Sequence, residues 1–175
     1  MDRRLYRRWI GFMPETAIAI REIKPGETES VCALIRDVFT EFVAPHFADE
    51  GVRQFLAYVD PEQMAERIRC DHQVLLAEKA GELVAAIEIR RYKHISLLFV
   101  APDCQRQGIA RQLLTEALNL AYRAEPDLSR ISVHASPNSV LAYEALGFHA
   151  EGPAKEEYGI RYIPMSKAIR NENDG

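Results

Sequence analysis

The sequence predicts a single α/β domain built on a mixed β-sheet. Three apolar segments, at residues 73–79, 82–90 and 94–100, follow one another with connections too short for a crossover, so we expect antiparallel strands. A segment with helical spacing at 108–123 then leads to another apolar segment at 131–136. Because a helix between two strands of one sheet forms a crossover, strands 94–100 and 131–136 are expected to be parallel, with a right-handed connection.

A strand and two helices precede this region. Residues 17–23 alternate weakly between apolar and polar and predict the strand. Apolar residues recur at helical spacing over 28–42, and Pro45 ends this helix. A second helix is expected over 61–69, with Asp60 as its N-cap and a proline in its first turn.

The last third of the chain predicts a short helix and a closing hairpin. The helix covers 139–146 and ends at Gly147, while segments 148–157 and 160–169 form the hairpin. The expected organisation is a basic extension, one domain and a polar tail, over residues 1–16, 17–170 and 171–175.

Charge disfavours some classes of partner. The formal net charge of the chain is −4. Residues 1–14 have a net charge of +3, so the rest of the chain has a net charge of −7. The negative charge of residues 15–175 disfavours nucleic acid as the main partner, because nucleic-acid binding depends on the neutralisation of phosphates by cationic side chains. No apolar run approaches the roughly 20 residues of a membrane span. We interpret the basic segment as a packing arm or loosely ordered extension, with a membrane-surface or nucleic-acid-binding arm as the alternative.

The cysteines indicate the compartment rather than the chemistry. Cys32, Cys70 and Cys104 lie far apart without metal-ligand spacing, which favours a reducing cytoplasm and no metal site. Cys32 lies on an apolar helical face and is expected in the core. Cys104 lies in a loop, and since a nucleophilic thiol needs a nearby base, we interpret it as a bystander.

The loop before the helix at 108–123 has the properties of a phosphate site. A helix N-terminus leaves amide hydrogens unpaired and carries partial positive charge, and Gly108 lets a ligand approach the backbone. Arg106 and Arg111 add full positive charge. The loop lacks the Gly-Lys-Ser/Thr of a nucleotide-binding P-loop, and its one glycine does not make a dinucleotide-binding motif.

Two motifs in this order resemble those of the GCN5-related N-acetyltransferase (GNAT) family. The first is Q-x-x-G-x-A, at Gln105, Gly108 and Ala110, and the second is Tyr143 followed by Leu146-Gly147-Phe148. The closing segment GIRYIPMSKAI is also similar to that of many members, and the resemblance covers roughly residues 17–169. It implies the acyl-CoA N-acyltransferase fold, a single mixed, centrally splayed sheet flanked by helices on both faces. The implied function is acetyl transfer from acetyl-CoA to a primary amine, with no metal.

The resemblance also implies roles for individual residues. Loop amides from Arg106 to Ala110 would hold the pyrophosphate of coenzyme A, and the backbone of Leu98 and Val100 would pair with its pantetheine arm. The amide of Leu98 would stabilise the oxyanion, and Tyr143 would protonate the departing thiolate. The implied cofactor-contacting residues are Leu98, Phe99, Val100, Gln105, Arg106, Gln107, Gly108, Ile109, Ala110, Arg111, Ser136, Asn138 and Tyr143. Ser136 stands where many members carry asparagine, and Asn138 is out of register with that position.

The attacking amine must lose a proton to a base or to a water. Strict alternation would put His94, Ser96 and Leu98 on one side of their strand. In some family members, histidines at the positions of His94 and Ser96 serve as the base, and only the first of these positions is a histidine here. His94 is therefore our first candidate base, with a solvent-facing role as the alternative. Glu88 on the adjacent strand is the second candidate, with an outward polar role as its alternative. We interpret His134, on the other splayed strand, as structural, with a substrate-facing role as the alternative.

Other functions stay open on the sequence alone. A non-catalytic acyl-CoA sensor or interaction module would share this fold, and a nucleic-acid-binding protein would use the basic arm. The resemblance implies direct attack in a ternary complex, and homodimers are common in the family. The acceptor amine is not specified by any motif.

Overall fold

The computed structural model describes residues 17–169, and the predicted extension and tail lie outside the described residues. Eight strands and five α-helices follow one another along this part of the chain. The strands are β1 (Ile18–Glu22), β2 (His72–Lys79), β3 (Glu82–Arg90), β4 (His94–Val100), β5 (Arg130–Ala135), β6 (His149–Ala150), β7 (Lys155–Glu157) and β8 (Ile160–Ala168). The helices are α1 (Thr28–Phe42), α2 (Asp49–Tyr58), α3 (Pro61–Cys70), α4 (Ile109–Ala124) and α5 (Val140–Ala145). None of the helices within 17–169 is long and apolar enough to cross a membrane.

The strands form one mixed sheet in the order β1-β2-β3-β4-β5-β8-β6, and β7 pairs with β8 beside this path. The pairs β1–β2, β2–β3 and β3–β4 are antiparallel. The pair β4–β5 is parallel, as predicted. Helix α4 makes the crossover between them.

Helix α2 was not predicted. It begins at Asp49 and ends at Tyr58, and Gly51 is its buried residue. Glycine is a poor helix former, but here the helix packs so closely on a neighbouring turn that no side chain fits. Its signal was the spacing of Val52, Phe55, Leu56 and Val59, a short apolar stripe in a polar segment.

The closing hairpin differs from the prediction in its first arm. Two short strands, β6 and β7, replace the expected continuous strand, and both pair with β8. The segment Gly152-Pro153 separates them, because proline has no amide hydrogen for a ladder. The turn at Tyr158 and Gly159 lies where the sequence predicted it, with both residues at positive φ.

A hydrophobic core lies on each face of the sheet, which confirms helices on both faces. One core lies between the sheet and helices α4 and α5, with Leu113, Ile131 and Phe148 fully buried. The other lies under helices α1 and α3, with Ile35 and Met64 fully buried. We call these two sides of the sheet the α4 side and the α1 side.

Candidate active site

Strands β4 and β5 separate after a short paired stretch. The pairs His94–Ser132 and Ile95–Val133 join them, whereas β4 runs on to Val100. Beyond Ile95, β4 therefore has backbone groups without a strand partner on its β5 edge. An extended ligand segment can pair with such an edge. This is the central splay that the resemblance implied.

A β-bulge lies where the splay begins. Leu97 pairs with Glu88 and Ile95 with Ile89, so Ser96 is the extra residue on β4. Ile95 and Leu98 both pack in the core of the α4 side, three residues apart, which strict alternation does not permit. The prediction that His94 and Leu98 share a side is therefore wrong, and His94 lies on the α1 side.

The loop before α4 has the backbone of an anion site. Gly108 caps the helix at φ +81°, in the left-handed region, and Arg106 precedes it at φ +60°. A Cβ added to Gly108 would meet nothing within 4 Å, so the glycine serves conformation rather than packing against protein. The helix N-terminus opens onto that space beside Ile109 and Ala110.

Three polar side chains of the loop region already have protein partners. The Nε2 of Gln105 donates to the carbonyl of Val100 at 3.1 Å, and that of Gln107 donates to the carbonyl of Asp103. Arg111 donates to the carbonyl of Ala145 at 2.6 Å. This bond ties α4 to the end of α5, and the predicted contact of Arg111 with the cofactor stays a prediction.

Ser136 and Asn138 also bond to protein. The two hydroxyls of Ser136 and Ser139 lie 2.6 Å apart in the turn after β5. Asn138 donates to the carbonyl of Phe42 at 2.9 Å, which satisfies the end of α1. This bond gives Asn138 a structural role, and its predicted cofactor contact stays a prediction.

Tyr143 lies on the α4 side, in the same core as Leu98 and Val100. Its ring packs edge-on against Phe148 with centroids 5.4 Å apart, which explains the spacing of the Tyr and Gly-Phe motif. Burial raises the pKa of its phenol, so the hydroxyl stays protonated at neutral pH. Such a hydroxyl carries a proton that a general acid could donate.

His94 begins a row of rings on the α1 side. Its Nδ1 lies 2.9 Å from the hydroxyl of Ser132, and its ring meets His134 edge-on at 4.9 Å between centroids. His134 stacks on Tyr162 at 4.0 Å, and the Tyr162 hydroxyl donates to Glu157 at 2.8 Å. Sequence reasoning missed Tyr162, because its contact with His134 depends on the pairing of β5 with β8.

Burial, and after it repulsion from His134, Arg90 and His72, together lower the pKa of His94 to about 4. The imidazole is therefore neutral at physiological pH, with one nitrogen able to accept a proton. Burial also lowers the pKa of His134. Because both imidazoles are neutral, the adjacent rings of His94 and His134 do not repel one another as two imidazolium cations would.

Glu88 is neither a free base nor an outward polar residue. Only 1% of its side chain is exposed, and both of its oxygens accept bonds from the guanidinium of Arg67. The Nε2 of His72 lies 3.6 Å from the same carboxylate. The geometry therefore supports a structural role for Glu88.

Tyr58, at the end of α2, is a site residue that the sequence did not indicate. The guanidinium of Arg67 lies 3.7 Å from the centroid of its ring and donates to its carbonyl. Burial and the Glu88 carboxylate raise the pKa of the Tyr58 phenol, while Ser96 lowers it. Tyr58 thus lies near the bulge where the splay begins.

The cysteines take no part in this site. Cys104 is buried in the core of the α4 side, and Cys32 lies 3.9 Å from the sulfur of Met64. Burial raises the pKa of the Cys32 thiol to about 11, which keeps it unreactive. No cluster of potential metal ligands occurs within the part of the chain that the structure describes.

A splayed sheet with an anion-binding loop at its open end defines an acyl-CoA-type N-acyltransferase fold. The family model described as an acetyltransferase (GNAT) domain matches residues 43–169. The chain therefore belongs to the GNAT family and is an N-acetyltransferase.

Similar proteins agree with this assignment. An uncharacterised N-acetyltransferase of Escherichia coli (strain K12), YafP, is 28% identical over 131 residues, which cover 75% of this chain and 81% of YafP. A GCN5-related N-acetyltransferase from Rhodopseudomonas palustris has a similar structure, with TM-score 0.75, 21% identity, and coverage of 91% of this chain and 100% of that one. The PaiA N-acetyltransferase of Thermoplasma acidophilum, solved with coenzyme A, has TM-score 0.73 at 16% identity, with coverage of 88% and 100%.

Proposed function

We propose that the protein transfers an acetyl group from acetyl-CoA to a primary amine by direct attack in a ternary complex. The observation that carries this proposal is the unpaired edge of β4, which leads directly into the loop at Gly108. A strand-like arm with a pyrophosphate at its end fits an exposed strand edge followed by a helix N-terminus. Acetyl-CoA has that shape and would supply the acetyl thioester.

The loop and the strand edge would hold the co-substrate. Amides from Arg106 to Ala110 bind the pyrophosphate, and the left-handed Gly108 leaves room for it. The unpaired backbone of Leu98 and Val100 pairs with the pantetheine arm. Gln105 now bonds the carbonyl of Val100, so its side chain moves aside when that arm pairs there.

Proton transfer uses residues on opposite sides of the sheet. The amide of Leu98 stabilises negative charge on the carbonyl oxygen, and Tyr143 gives its proton to the thiolate. The neutral His94 accepts the proton of the amine, directly or through a water. At neutral pH the Tyr143 hydroxyl therefore carries the proton to be donated, and the His94 imidazole is unprotonated and free to accept one.

The test measures thiol release from acetyl-CoA across a panel of primary amines, with the full chain. We expect Tyr143→Phe to lower kcat about 100-fold or more, since that is the usual contribution of a general acid. Tyr122→Phe is the matched control, because Tyr122 is an exposed tyrosine on α4 and should keep full activity. Failure of acetyl-CoA to bind or to raise the melting temperature would overturn the proposal.

A further inference from the structure

A cleft of about 530 Å³ opens on the sheet beside His94, at the paired end of β4 and β5. Strands β3, β4, β5 and β8 all contribute to its lining, and so does the turn between β3 and β4. The residues of the cleft that carry a permanent charge are Arg90, Arg91, Lys93, Arg130 and Glu151. Its volume is within the usual range for small-ligand sites, about 300–1,000 Å³.

Positive charge in this cleft exceeds negative charge. Arg91 pairs with Asp71 at 2.6 Å, and Arg130 pairs with Glu151 at 2.9 Å. Arg90 and Lys93 form no ion pair with any residue in 17–169. Within the described residues, two cations without an ion-pair partner thus line the same cleft.

The cleft and the proposed base are parts of one surface. His94 lines the cleft, and its Nδ1 meets Ser132, another lining residue. Arg90 and His94 are opposite one another in the pairing of β3 with β4. An anionic group bound in the cleft would therefore lie beside the imidazole that would deprotonate the amine.

We infer that the acceptor is an amine carrying an anionic group, a carboxylate or a phosphate, which binds between Arg90 and Lys93 while the amine lies beside His94. This inference rests on the proposed acetyl transfer and names the substrate class of the same site. It differs from a polycation such as spermine, which is bound in the similar structure of the Vibrio cholerae spermidine N-acetyltransferase (TM-score 0.58, 21% identity, covering 86% of this chain and 95% of that one). Two unpaired cations would repel a polycation from this cleft.

The experiment compares matched amines on the unmodified protein by thiol release from acetyl-CoA. The pairs are β-alanine with its neutral amide, and phosphoethanolamine with ethanolamine, so that the carboxylate and phosphate are tested separately. We expect kcat/KM to be about tenfold higher for the anionic member of at least one pair, and this ratio to fall as salt increases. Arg90→Gln and Lys93→Gln should each lower that ratio several-fold.

Arg123→Gln is the control variant, because this exposed arginine on α4 does not line the cleft, and its loss should leave the ratio unchanged. Equal kcat/KM for the two members of both pairs, or a preference for spermine, would overturn the inference while leaving acetyl transfer intact. Absence of acetyl-CoA binding would instead overturn the proposed function. The comparison on the unmodified protein decides the matter even if a variant fails to fold.

Discussion

The guanidinium of Arg67 donates to both carboxylate oxygens of Glu88, at 2.7 Å from Nε and 3.0 Å from Nη2. Arg67 lies on α3 and Glu88 on β3, so the pair joins a helix to the centre of the sheet. The same guanidinium covers the ring of Tyr58 and bonds its carbonyl. One arginine thus fixes the end of α2 near the bulge of β4.

This pair predicts a stability effect that a catalytic base would not show. Glu88→Leu or Arg67→Met leaves a buried charge without its partner, so we expect each to lower the free energy of unfolding by about 3–5 kcal/mol. The double variant should lose less than the sum of the two, because it leaves no unpaired charge. Urea unfolding measures all three.

The exposed pair Arg69–Glu66 on the same helix is the control, and Arg69→Met should leave the free energy of unfolding nearly unchanged. For Glu88, the informative variant is Glu88→Gln. A loss of more than 100-fold in kcat with unchanged stability would show that Glu88 is the base after all.

Gly108 predicts a coupled effect on stability and cofactor binding. Gly108→Ala forces an alanine to φ +81°, which costs about 1–2 kcal/mol even though its methyl group meets no protein atom. We also expect weaker coenzyme A binding, because the methyl group enters the space where the ligand approaches the loop. Calorimetric titration with coenzyme A measures the second effect.

Gly26→Ala is the matched control for Gly108→Ala. Gly26 has φ +87° and open space around it, and it lies in the turn between β1 and α1. It should lose similar stability and keep its affinity for coenzyme A. Equal affinities in the two variants would argue against a ligand at Gly108.

The sequence predicted the elements whose signal lies within the element itself. Strands β2 to β5 and helix α1 are apolar at regular spacing because one or both of their faces are buried, and the fold needs that periodicity. The loop glycine was also predictable, since a left-handed residue before a helix favours glycine.

The features that it did not predict depend on contacts between distant segments. The bulge at Ser96 shifts the pairing of β4 with β3 by one residue. The side chains of β4 before the bulge therefore lie on the opposite side of the sheet from the one that strict alternation predicts. The bonds of Asn138 to Phe42 and of Arg111 to Ala145 join residues far apart in sequence. No local pattern in the sequence specifies such partners.

His94 predicts a dependence of stability on pH. Its pKa is about 4 in the folded protein and 6.5 when unperturbed, so between these values the unfolded state binds more protons. Stability is therefore full above pH 6.5 and falls as the pH decreases toward 4. When the pH is lowered from 7.5 to 5, the free energy of unfolding of the unmodified protein should fall by about 1–2 kcal/mol more than that of His94→Asn.

Burial is the main cause of this low pKa, and the charged groups that add to it come from three strands: His134 on β5, Arg90 on β3 and His72 on β2. Urea unfolding at the two pH values gives the difference, and the variant's own loss of the Ser132 bond cancels because each protein is compared with itself. An identical pH effect in both proteins would mean that His94 titrates normally.

Gly51 predicts a link between packing and acceptor binding. A Cβ at this position would lie 2.2 Å from the carbonyl oxygen of Gly159, so Gly51→Ala must push α2 away from the β7–β8 turn. We expect a loss of about 1–3 kcal/mol in unfolding free energy, as for overpacking elsewhere. Because α2 ends at Tyr58, near the bulge, the shift should also raise KM for the amine.

Gly152→Ala in the same hairpin is the control, because a Cβ at this position would meet nothing within 4 Å. It should leave both the unfolding free energy and KM unchanged. Equal KM values for the two variants would place α2 outside the acceptor site.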